Sequence, residues 1–388
     1  MPETAKKLKI VYVTPALYMA GGVERVLTLK ANYFAEHYGC DITIILTEGK
    51  DKPLFYPLSD KIKVINLNIG FEELWTCSFL KKIFVYLRKQ HQYKKALTNE
   101  LMRLRPDITI SLLRREINFI NDIKDGSRKI GELHVNRANY RNFEANEFNF
   151  IKNLFAKFWM CNLVSKLKQL DRFVVLTEED KSAWPELHNI CVIPDPLSFV
   201  PKSISPLTEK RVIAVGRYVY QKGFDLLLQA WAKIEKQYPD WQLAIFGDGN
   251  RTPYEQQMRD LDIDSSRCHL NGPTTDIQNE YINSSIFAFS SRFEGFGMVL
   301  IEAMACGLPV VSFACPCGPR DIIKDGEDGL LVDNGNVDAF AASLSQLMQN
   351  SSLGKSMAIA GKTNVQRFYM EYIAKQWKVI FESNEKLS

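Results

Sequence analysis

Residues 290–319 have the sequence SSRFEGFGMVLIEAMACGLPVVSFACPCGP, and this stretch decides the fold. Two apolar runs, Ile286–Phe289 and Val310–Phe313, are typical of buried strands. Between them a Gly-Phe-Gly turn opens an apolar helix, which Gly307 and Pro309 end. The stretch is therefore a strand, loop, helix and strand, and that succession predicts a parallel sheet.

Two glutamates give this unit a predicted chemistry. Glu294 lies in the loop and Glu302 within the helix. The first N–H groups of a helix lack partners and favour anions, and glycines at 295 and 297 let the backbone approach a bound group. A phosphate held there would place Glu302 to accept hydrogen bonds from a sugar diol. The alternative is a core helix whose carboxylates are solvated.

The stretch resembles the donor-binding signature of the retaining glycosyltransferases of family 4, which have the GT-B fold. The glutamate spacing, the EGFG loop and the following A-CGLPVV run carry this resemblance. In that family the first glutamate contacts the donor sugar and the second binds the nucleotide ribose. The resemblance implies these roles for Glu294 and Glu302, and diphosphate binding by the backbone of Gly297, Met298 and Val299.

The composition is that of an ordinary globular protein with two domains. The chain has 388 residues, with 46% hydrophobic and 24% charged residues. No stretch reaches the roughly eighteen uncharged apolar residues of a spanning helix. The polar N-terminus leads straight into a strand, which argues against a secretory signal. Eight cysteines without a C-x-x-C pair indicate a reducing compartment, so we expect a cytoplasmic protein.

The positive charge is concentrated in the first half. Residues 1–195 carry 30 Lys and Arg against 23 Asp and Glu, whereas residues 196–388 carry 19 against 22. Two segments, 80–105 and 150–172, combine cations with aromatic residues. They are typical of helices on an anionic membrane surface, or else of ordinary helices with a solvated face. Nucleic acid is a weaker candidate, because no binding module accompanies the charge.

The first half begins with the strand Leu8–Val13, a Gly21-Gly22 turn and a helix over 23–38. The turn matches neither the dinucleotide fingerprint nor the Walker loop, and by itself it indicates no more than a tight turn. The sequence GGVERVLTLKAN resembles the N-terminal loop of the same family, which faces the donor phosphates and the acceptor. The resemblance therefore implies a binding role for Gly22.

A histidine follows another predicted strand of this half. His134 comes directly after the run 129–133, and ligands of doubly wound sheets bind beyond the carboxyl ends of the strands. A lone histidine is usually structural. The resemblance to the strand-end histidine of the family, which faces the reacting sugar, implies a catalytic role for His134 instead.

The second half follows a linker rich in proline and serine, and repeats the strand, turn and helix pattern. In the turn after the strand Arg211–Val215, the pattern GR-x4-KG places Arg217 and Lys222 where an anion would bind. The alternative is a pair of solvated cations. In the family that this pattern resembles, the two residues neutralise the departing nucleoside diphosphate, so the resemblance implies a catalytic role for both.

These observations predict an α/β protein of the GT-B class, with two Rossmann-like domains that face across a cleft. Residues 1–195 form the acceptor domain, 196–366 the donor domain, and a C-terminal helix about 367–388 packs back on the first domain. The expected enzyme is a retaining hexosyltransferase without cofactor or metal, since no Asp-x-Asp pair was identified that would bind one. Non-catalytic nucleotide-sugar binding, an epimerase and a phosphorylase are the alternatives.

The expected partners follow from the same resemblance. The donor is a nucleotide sugar, with UDP as the default base. The acceptor is a glycan or a polyprenyl-linked precursor of a cell-surface polysaccharide such as lipopolysaccharide or capsule. The basic segments also predict a peripheral location on the inner face of the plasma membrane. Nucleic acid is not an expected partner.

Overall fold

The computed structural model describes residues 7–76, 78–140 and 150–383, and the chain divides into two compact units. The first unit comprises Met1–Pro196 together with Met370–Ser388, and the second comprises Leu197–Tyr369. Each unit has its own parallel sheet and its own hydrophobic core. The chain thus leaves the first unit once and returns to it for its last helix.

The first unit is built on a seven-stranded parallel sheet in the order β3-β2-β1-β4-β5-β6-β7. Its inner strands are apolar runs buried on both faces, as parallel sheets covered by helices require, whereas the two edge strands are partly exposed. They are β1 (Lys9–Thr14), β2 (Asp41–Leu46), β3 (Lys63–Asn66), β4 (Ile108–Ser111), β5 (Arg128–Glu132), β6 (Arg172–Val175) and β7 (Ile190–Val192). The helices are α1 (Gly22–His37), α2 (Phe79–Leu104), α3 (Phe150–Leu167) and α4 (Glu178–Ser182).

The second unit has a six-stranded parallel sheet in the order β10-β9-β8-β11-β12-β13. The strands are β8 (Arg211–Val215), β9 (Gln242–Phe246), β10 (Cys268–Asn271), β11 (Ile286–Phe289), β12 (Val310–Phe313) and β13 (Leu330–Val332). The helices are α5 (Phe224–Ile234), α6 (Thr252–Asp260), α7 (Ile277–Ile282), α8 (Met298–Ala305), α9 (Pro319–Ile322), α10 (Val337–Gln349) and α11 (Ser351–Asn364). Two Rossmann-like units confirm the predicted fold class.

The last helix, α12 (Met370–Glu382), completes the core of the first unit. Its Trp377 is 1% exposed, and the Lys30 ammonium lies 4.3 Å from the centre of the indole ring. Arg128 donates from Nη1 to the carbonyl oxygens of Ile380 and Phe381, at 3.0 Å each. A cation at a helix C-terminus satisfies carbonyls that have no partner within the helix. The predicted return of the C-terminal helix to the first domain is therefore confirmed.

The second basic segment is helical over only part of its length. The segment 150–172 is not one helix, because α3 ends at Leu167 and Arg172 is a buried residue of β6. Within the described residues, no helix is long and apolar enough to span a membrane.

We expect Trp377→Ala to destabilise the first unit by about 3–5 kcal/mol, the usual cost of deleting a large buried aromatic side chain. The free energy of unfolding is measured by urea denaturation of the full chain. Tyr372→Ala on the same helix is the matched control, because Tyr372 is 45% exposed and should cost less than about 1 kcal/mol. Equal losses for the two variants would contradict a core role for α12.

Candidate functional site

The second sheet changes its winding direction between β8 and β11. From β8 the chain proceeds to β9 and β10 on one side, and from β11 it proceeds to β12 and β13 on the other. Ligands of doubly wound sheets bind at such a switch point, beyond the carboxyl ends of the strands. The loops 216–223 and 290–297 follow these two strands and therefore form the candidate site.

The two loops are bound to each other by side-chain and backbone contacts. Arg292 donates to both carboxylate oxygens of Asp225, at 2.7 and 2.5 Å, and to the carbonyl of Tyr220 at 2.8 Å. Gln221 donates to the carbonyl of Phe293 at 3.0 Å. A bidentate pair fixes direction as well as distance, so each loop holds the other in one conformation. Neither Arg292 nor Asp225 was predicted from the sequence.

Glycine is required where the loops touch. Gly223 has φ +61°, and a Cβ there would lie 2.0 Å from the carbonyl oxygen of Ser290. No side chain fits at that separation. Ser290 in turn donates from its hydroxyl to the carbonyl of Lys222 at 2.9 Å. The GR-x4-KG pattern therefore ends in glycine for a steric reason that the sequence alone does not show.

Lys222 and Glu294 form an ion pair between the two loops. Lys222 Nζ lies 2.7 Å from Glu294 Oε1, and the two side chains are 15% and 7% exposed. Gln221 makes a longer contact with Glu294 Oε2, at 3.4 Å. Arg217 lies exposed in the same loop. The structure thus brings two of the predicted catalytic residues, Lys222 and Glu294, into direct contact.

Helix α8 begins at this site. Gly297 stands before it with φ +101°, in the left-handed region that favours glycine. Met298 and Val299 form its first turn and are half-buried. Their N–H groups belong to the first turn, where a helix has no internal acceptors for them. A helix start, the feature for which the sequence predicts anion binding, lies at residues 297–299.

Glu302 lies in the same helix and is 2% exposed. The hydroxyl of Ser198 donates to its Oε1 at 2.5 Å, and the hydroxyl of Tyr281 donates to its Oε2 at 3.3 Å. Sequence reasoning missed both donors, because Ser198 is 104 positions away along the chain and Tyr281 is 21.

In the first unit, the switch point lies between β1 and β4. The predicted strand, glycine turn and helix are present, and α1 begins at Gly22, one residue earlier than the sequence predicted. His134 follows β5 and lies two residues beyond its end.

His134 is held between two carboxylates. Its Nε2 lies 3.2 Å from Glu132 Oε1 and its Nδ1 lies 3.3 Å from Asp195 Oδ1, while its side chain is 6% exposed. Burial lowers the pKa of His134, but Asp195 and Glu132 outweigh it and raise that pKa to about 9. Burial likewise opposes ionisation of Glu132, yet Lys30 and His134 lower the pKa of Glu132 to about 2. His134 is therefore an imidazolium at neutral pH.

The same three residues are a set whose ligand atoms could hold a metal ion. One ligand atom each of Glu132, His134 and Asp195 lies within 4.8 Å of the others. The histidine faces the two carboxylates with opposite ring nitrogens, and Lys30 forms an ion pair with Glu132. A metal would take one nitrogen and compete with the ammonium group, so this donor set fits an ion-paired imidazolium better.

Asp260, Asp262 and Asp264 have the Asp-x-Asp spacing. They precede β10 and so lie at the amino end of the strand, away from the carboxyl edge that carries the loops. Asp262 pairs with Lys236 and Asp264 with Arg267, at 3.0 Å each. Asp260 accepts from Gln256 at 2.7 Å, so each of the three aspartates has a partner near the surface.

Two Rossmann-like units, the second of which has this site at the switch point of its own sheet, are the architecture of a GT-B glycosyltransferase. A family model described as glycosyl transferases group 1 matches residues 198–364. An uncharacterized glycosyltransferase of Haemophilus influenzae is 30% identical over 369 residues, which cover 93% of this chain and 96% of that protein. The chain therefore belongs to the GT-B glycosyltransferases.

Two further comparisons agree with this assignment. The amylovoran biosynthesis glycosyltransferase AmsD of Erwinia amylovora is 28% identical over 386 residues, which cover 96% of this chain and 99% of that protein. A variant of TarM from S. aureus, solved with UDP and alpha-GlcNAc-glycerol among its ligands, superposes with a TM-score of 0.73 at 18% identity. That match covers 97% of this chain and 100% of TarM, and it shows the shared fold.

We expect the stability of the first unit to fall as pH rises from 6.5 to 9.5. The pKa of His134 is raised to about 9 in the folded protein. The contribution of His134 to the free energy of unfolding is therefore complete below pH 6.5 and is lost as the pH passes 9. The free energy of unfolding should fall by at most about 3 kcal/mol, because each unit of pKa shift is worth about 1.4 kcal/mol. Urea denaturation at both pH values should show this loss for wild type and not for His134→Gln.

His188→Gln is the matched control, because His188 is exposed in the same unit. It should retain the wild-type pH dependence. An equal fall in wild type and His134→Gln would contradict the imidazolium assignment.

Proposed function

We propose that this glycosyltransferase transfers a hexosyl group from a nucleotide sugar to an acceptor hydroxyl with retention of the anomeric configuration. The observation that carries the proposal is the Lys222–Glu294 pair at the start of α8, with Glu302 further along the same helix. Cations, helix N–H groups and a buried carboxylate lie along one edge of the sheet. A nucleoside diphosphate offers a phosphate pair and a ribose diol, which are the groups such a site recognises.

In this proposal the diphosphate lies at the first turn of α8, and Arg217 and Lys222 supply the positive charge. Glu302 accepts hydrogen bonds from the ribose, and Glu294 contacts the transferred sugar. UDP is the proposed nucleotide, and its presence in the TarM complex supports that choice. The sequence resemblance described above is the other support for these roles.

The proposed reaction proceeds on one face of the sugar. The bond between the anomeric carbon and the phosphate oxygen breaks, and the acceptor oxygen bonds to the same carbon from the same side. The acceptor proton passes to the departing diphosphate oxygen. The enzyme then has to stabilise the charge that develops on the diphosphate, and preorganised donors do this without reorganisation. Arg217, Lys222 and the N-terminus of α8 are such donors, so the proposal assigns no step to a metal.

In this proposal His134 does not accept a proton. A histidine with a pKa of about 9 is already protonated at neutral pH. Its charge is balanced by Glu132 and Asp195, which face opposite ring nitrogens. We propose that this ion-paired imidazolium is a positioning residue that holds the segment beyond the end of β5 at the carboxyl edge of the first sheet, where Gly22 also lies.

We propose a glycan or a lipid-linked glycan as the acceptor, in the synthesis of a cell-surface polysaccharide in the cytoplasm. The name of AmsD, an amylovoran biosynthesis glycosyltransferase, supports this class of product. A lipid-linked acceptor would require the enzyme to work at a membrane surface.

The start of α2 has the chemistry of such a surface contact. Ile83, Phe84 and Leu87 are 47%, 70% and 60% exposed, on a helix that begins at Phe79. Lys81 and Lys82 beside them are exposed as well. Exposed apolar side chains among cations are typical of helices that lie on anionic lipid. We therefore propose the first turns of α2 as the membrane contact.

Other cations of the two basic segments have partners within the protein. Lys89 is 4% exposed and pairs with Glu73 at 3.0 Å, and Lys94 pairs with Asp122 at 2.5 Å. Lys166 donates to Asn118. On α3, Lys157 and Phe158 are exposed and Phe158 is 72% exposed, whereas the side chain of Lys152 lies outside the described residues.

We expect Lys222→Ala and Arg217→Ala each to lower turnover by roughly a hundredfold or more, because each removes charge that stabilises the departing diphosphate. The measurement is release of free nucleoside diphosphate with a panel of donors and acceptors. Lys233→Ala is the matched control, since Lys233 pairs with Asp338 on the surface. Near-normal turnover in both variants, with unchanged thermal unfolding, would remove the diphosphate assignment.

We expect wild type to float with anionic vesicles at low salt and not with neutral ones. On α2, reversing the exposed Lys81, Lys82 and Arg88 to glutamate should weaken binding at least a hundredfold, at about 1 kcal/mol per cation. Phe84→Ser should weaken it as well. Activity on a short water-soluble acceptor should not change in either variant.

Lys210, Lys236 and Lys324 provide the matched control, because they are exposed cations of the second unit and their reversal makes the same change in net charge. That variant should still float. Wild type that stays in the soluble fraction with anionic lipid would contradict the membrane contact.

A further inference from the structure

Glu302 is held by two hydroxyl groups from distant parts of the second unit. Ser198 donates to one carboxylate oxygen and Tyr281 donates to the other, at 2.5 and 3.3 Å. A glutamate side chain has several rotatable bonds, and a hydrogen bond to each oxygen fixes the plane of the carboxylate. Recognition of a diol depends on that plane, because the two hydroxyl groups have a fixed separation and direction.

The groups that carry these hydroxyls are held by their surroundings. Tyr281 is fully buried, and its ring lies edge-on to Phe287 of β11 with the ring centres 5.9 Å apart. The Tyr281 hydroxyl therefore cannot move without disturbing the core. Ser198 follows Leu197, whose backbone N–H donates to the carbonyl of Phe368 at 2.7 Å, so the backbone that carries the Ser198 side chain is held in place. The orientation of Glu302 is therefore set by the fold itself.

The start of α8, the helix that carries Glu302, is held by the segment around Phe368. Phe296, in the glycine loop before α8, lies edge-on to Phe368 with the ring centres 5.3 Å apart. Phe368 thus contacts the loop at the start of α8 and, through Leu197, the backbone next to Ser198. The helix start and the Glu302 carboxylate share one support.

We infer that Ser198 and Tyr281 are positioning residues for the ribose of the nucleotide. They orient Glu302 so that the enzyme distinguishes a ribonucleotide from its deoxy counterpart. This inference rests on the proposed function, which assigns the ribose to Glu302. It goes further in naming the residues that set the sugar specificity of the nucleotide site.

The ratio of two dissociation constants tests this inference. Calorimetry on the full chain gives the affinity for the nucleoside diphosphate that wild type binds best among UDP, GDP and ADP, and for its 2′-deoxy counterpart. Wild type should favour the ribonucleotide. Ser198→Ala and Tyr281→Phe should each reduce that preference by about threefold to tenfold, the usual effect of one hydrogen bond. Glu302→Ala should abolish the preference.

A merely structural role would give a different result. Loss of a buried hydrogen bond that only stabilised the fold would lower the melting temperature and change both affinities equally. Two matched controls exist, and neither should change the preference: Ser203→Ala alters an exposed serine of the same linker, and Tyr238→Phe removes a hydroxyl that accepts from Gln349.

The outcomes separate the inference from the function on which it rests. If Glu302→Ala abolishes the preference while Ser198→Ala and Tyr281→Phe retain the wild-type value, the positioning roles are wrong and the ribose assignment stands. If Glu302→Ala itself retains the preference, the ribose assignment is wrong and the inference fails with it. A reduced preference in both hydroxyl variants, with unchanged controls, supports the positioning roles.

Discussion

The close approach of two backbones is the constraint on which the site of the second unit depends. Gly223 lies so near the carbonyl oxygen of Ser290 that any side chain would overlap with it. That contact brings the loop after β8 against the loop after β11, and the Arg292–Asp225 pair holds them together. Lys222, next to the glycine, is thereby directed at Glu294. One steric requirement thus sets the position of a cation and a carboxylate that are 72 residues apart.

The first unit depends instead on a buried group of charges. Lys30, Glu132, His134 and Asp195 lie in succession, and the ammonium group of Lys30 also lies over the ring of Trp377. Removing one member of such a set leaves its partner buried and uncompensated, which costs more than the pair itself contributes. The strand-end histidine and the C-terminal helix are consequently linked, because both depend on the pairing of Lys30 with Glu132.

The local features of the fold could be predicted from the sequence. Apolar runs bounded by glycine, such as Ile286–Phe289, marked the strands, and the Gly297 turn marked the start of α8. The resemblance of the GR-x4-KG and EGFG motifs to a known family also indicated Lys222 and Glu294 as candidate site residues. Their direct contact could not be predicted, since it depends on how two loops pack. The same limit explains why Ser198, Tyr281 and Asp195 were missed. A hydroxyl or a carboxylate acquires its role only when the fold brings a distant partner to it.

The boundaries of the second unit have a consequence for how the chain can be divided. The unit begins at Leu197 and ends at Tyr369, and a backbone hydrogen bond of 2.7 Å joins Leu197 to Phe368. Its two ends therefore lie side by side, which is the geometry of a domain inserted into a host domain. Such a segment can be exchanged as a cassette, because the host needs little new chain to close the gap. Variation at the candidate site of the second unit can accordingly arise by replacing residues 197–369 as a whole, while the sheet and the last helix of the first unit stay unchanged.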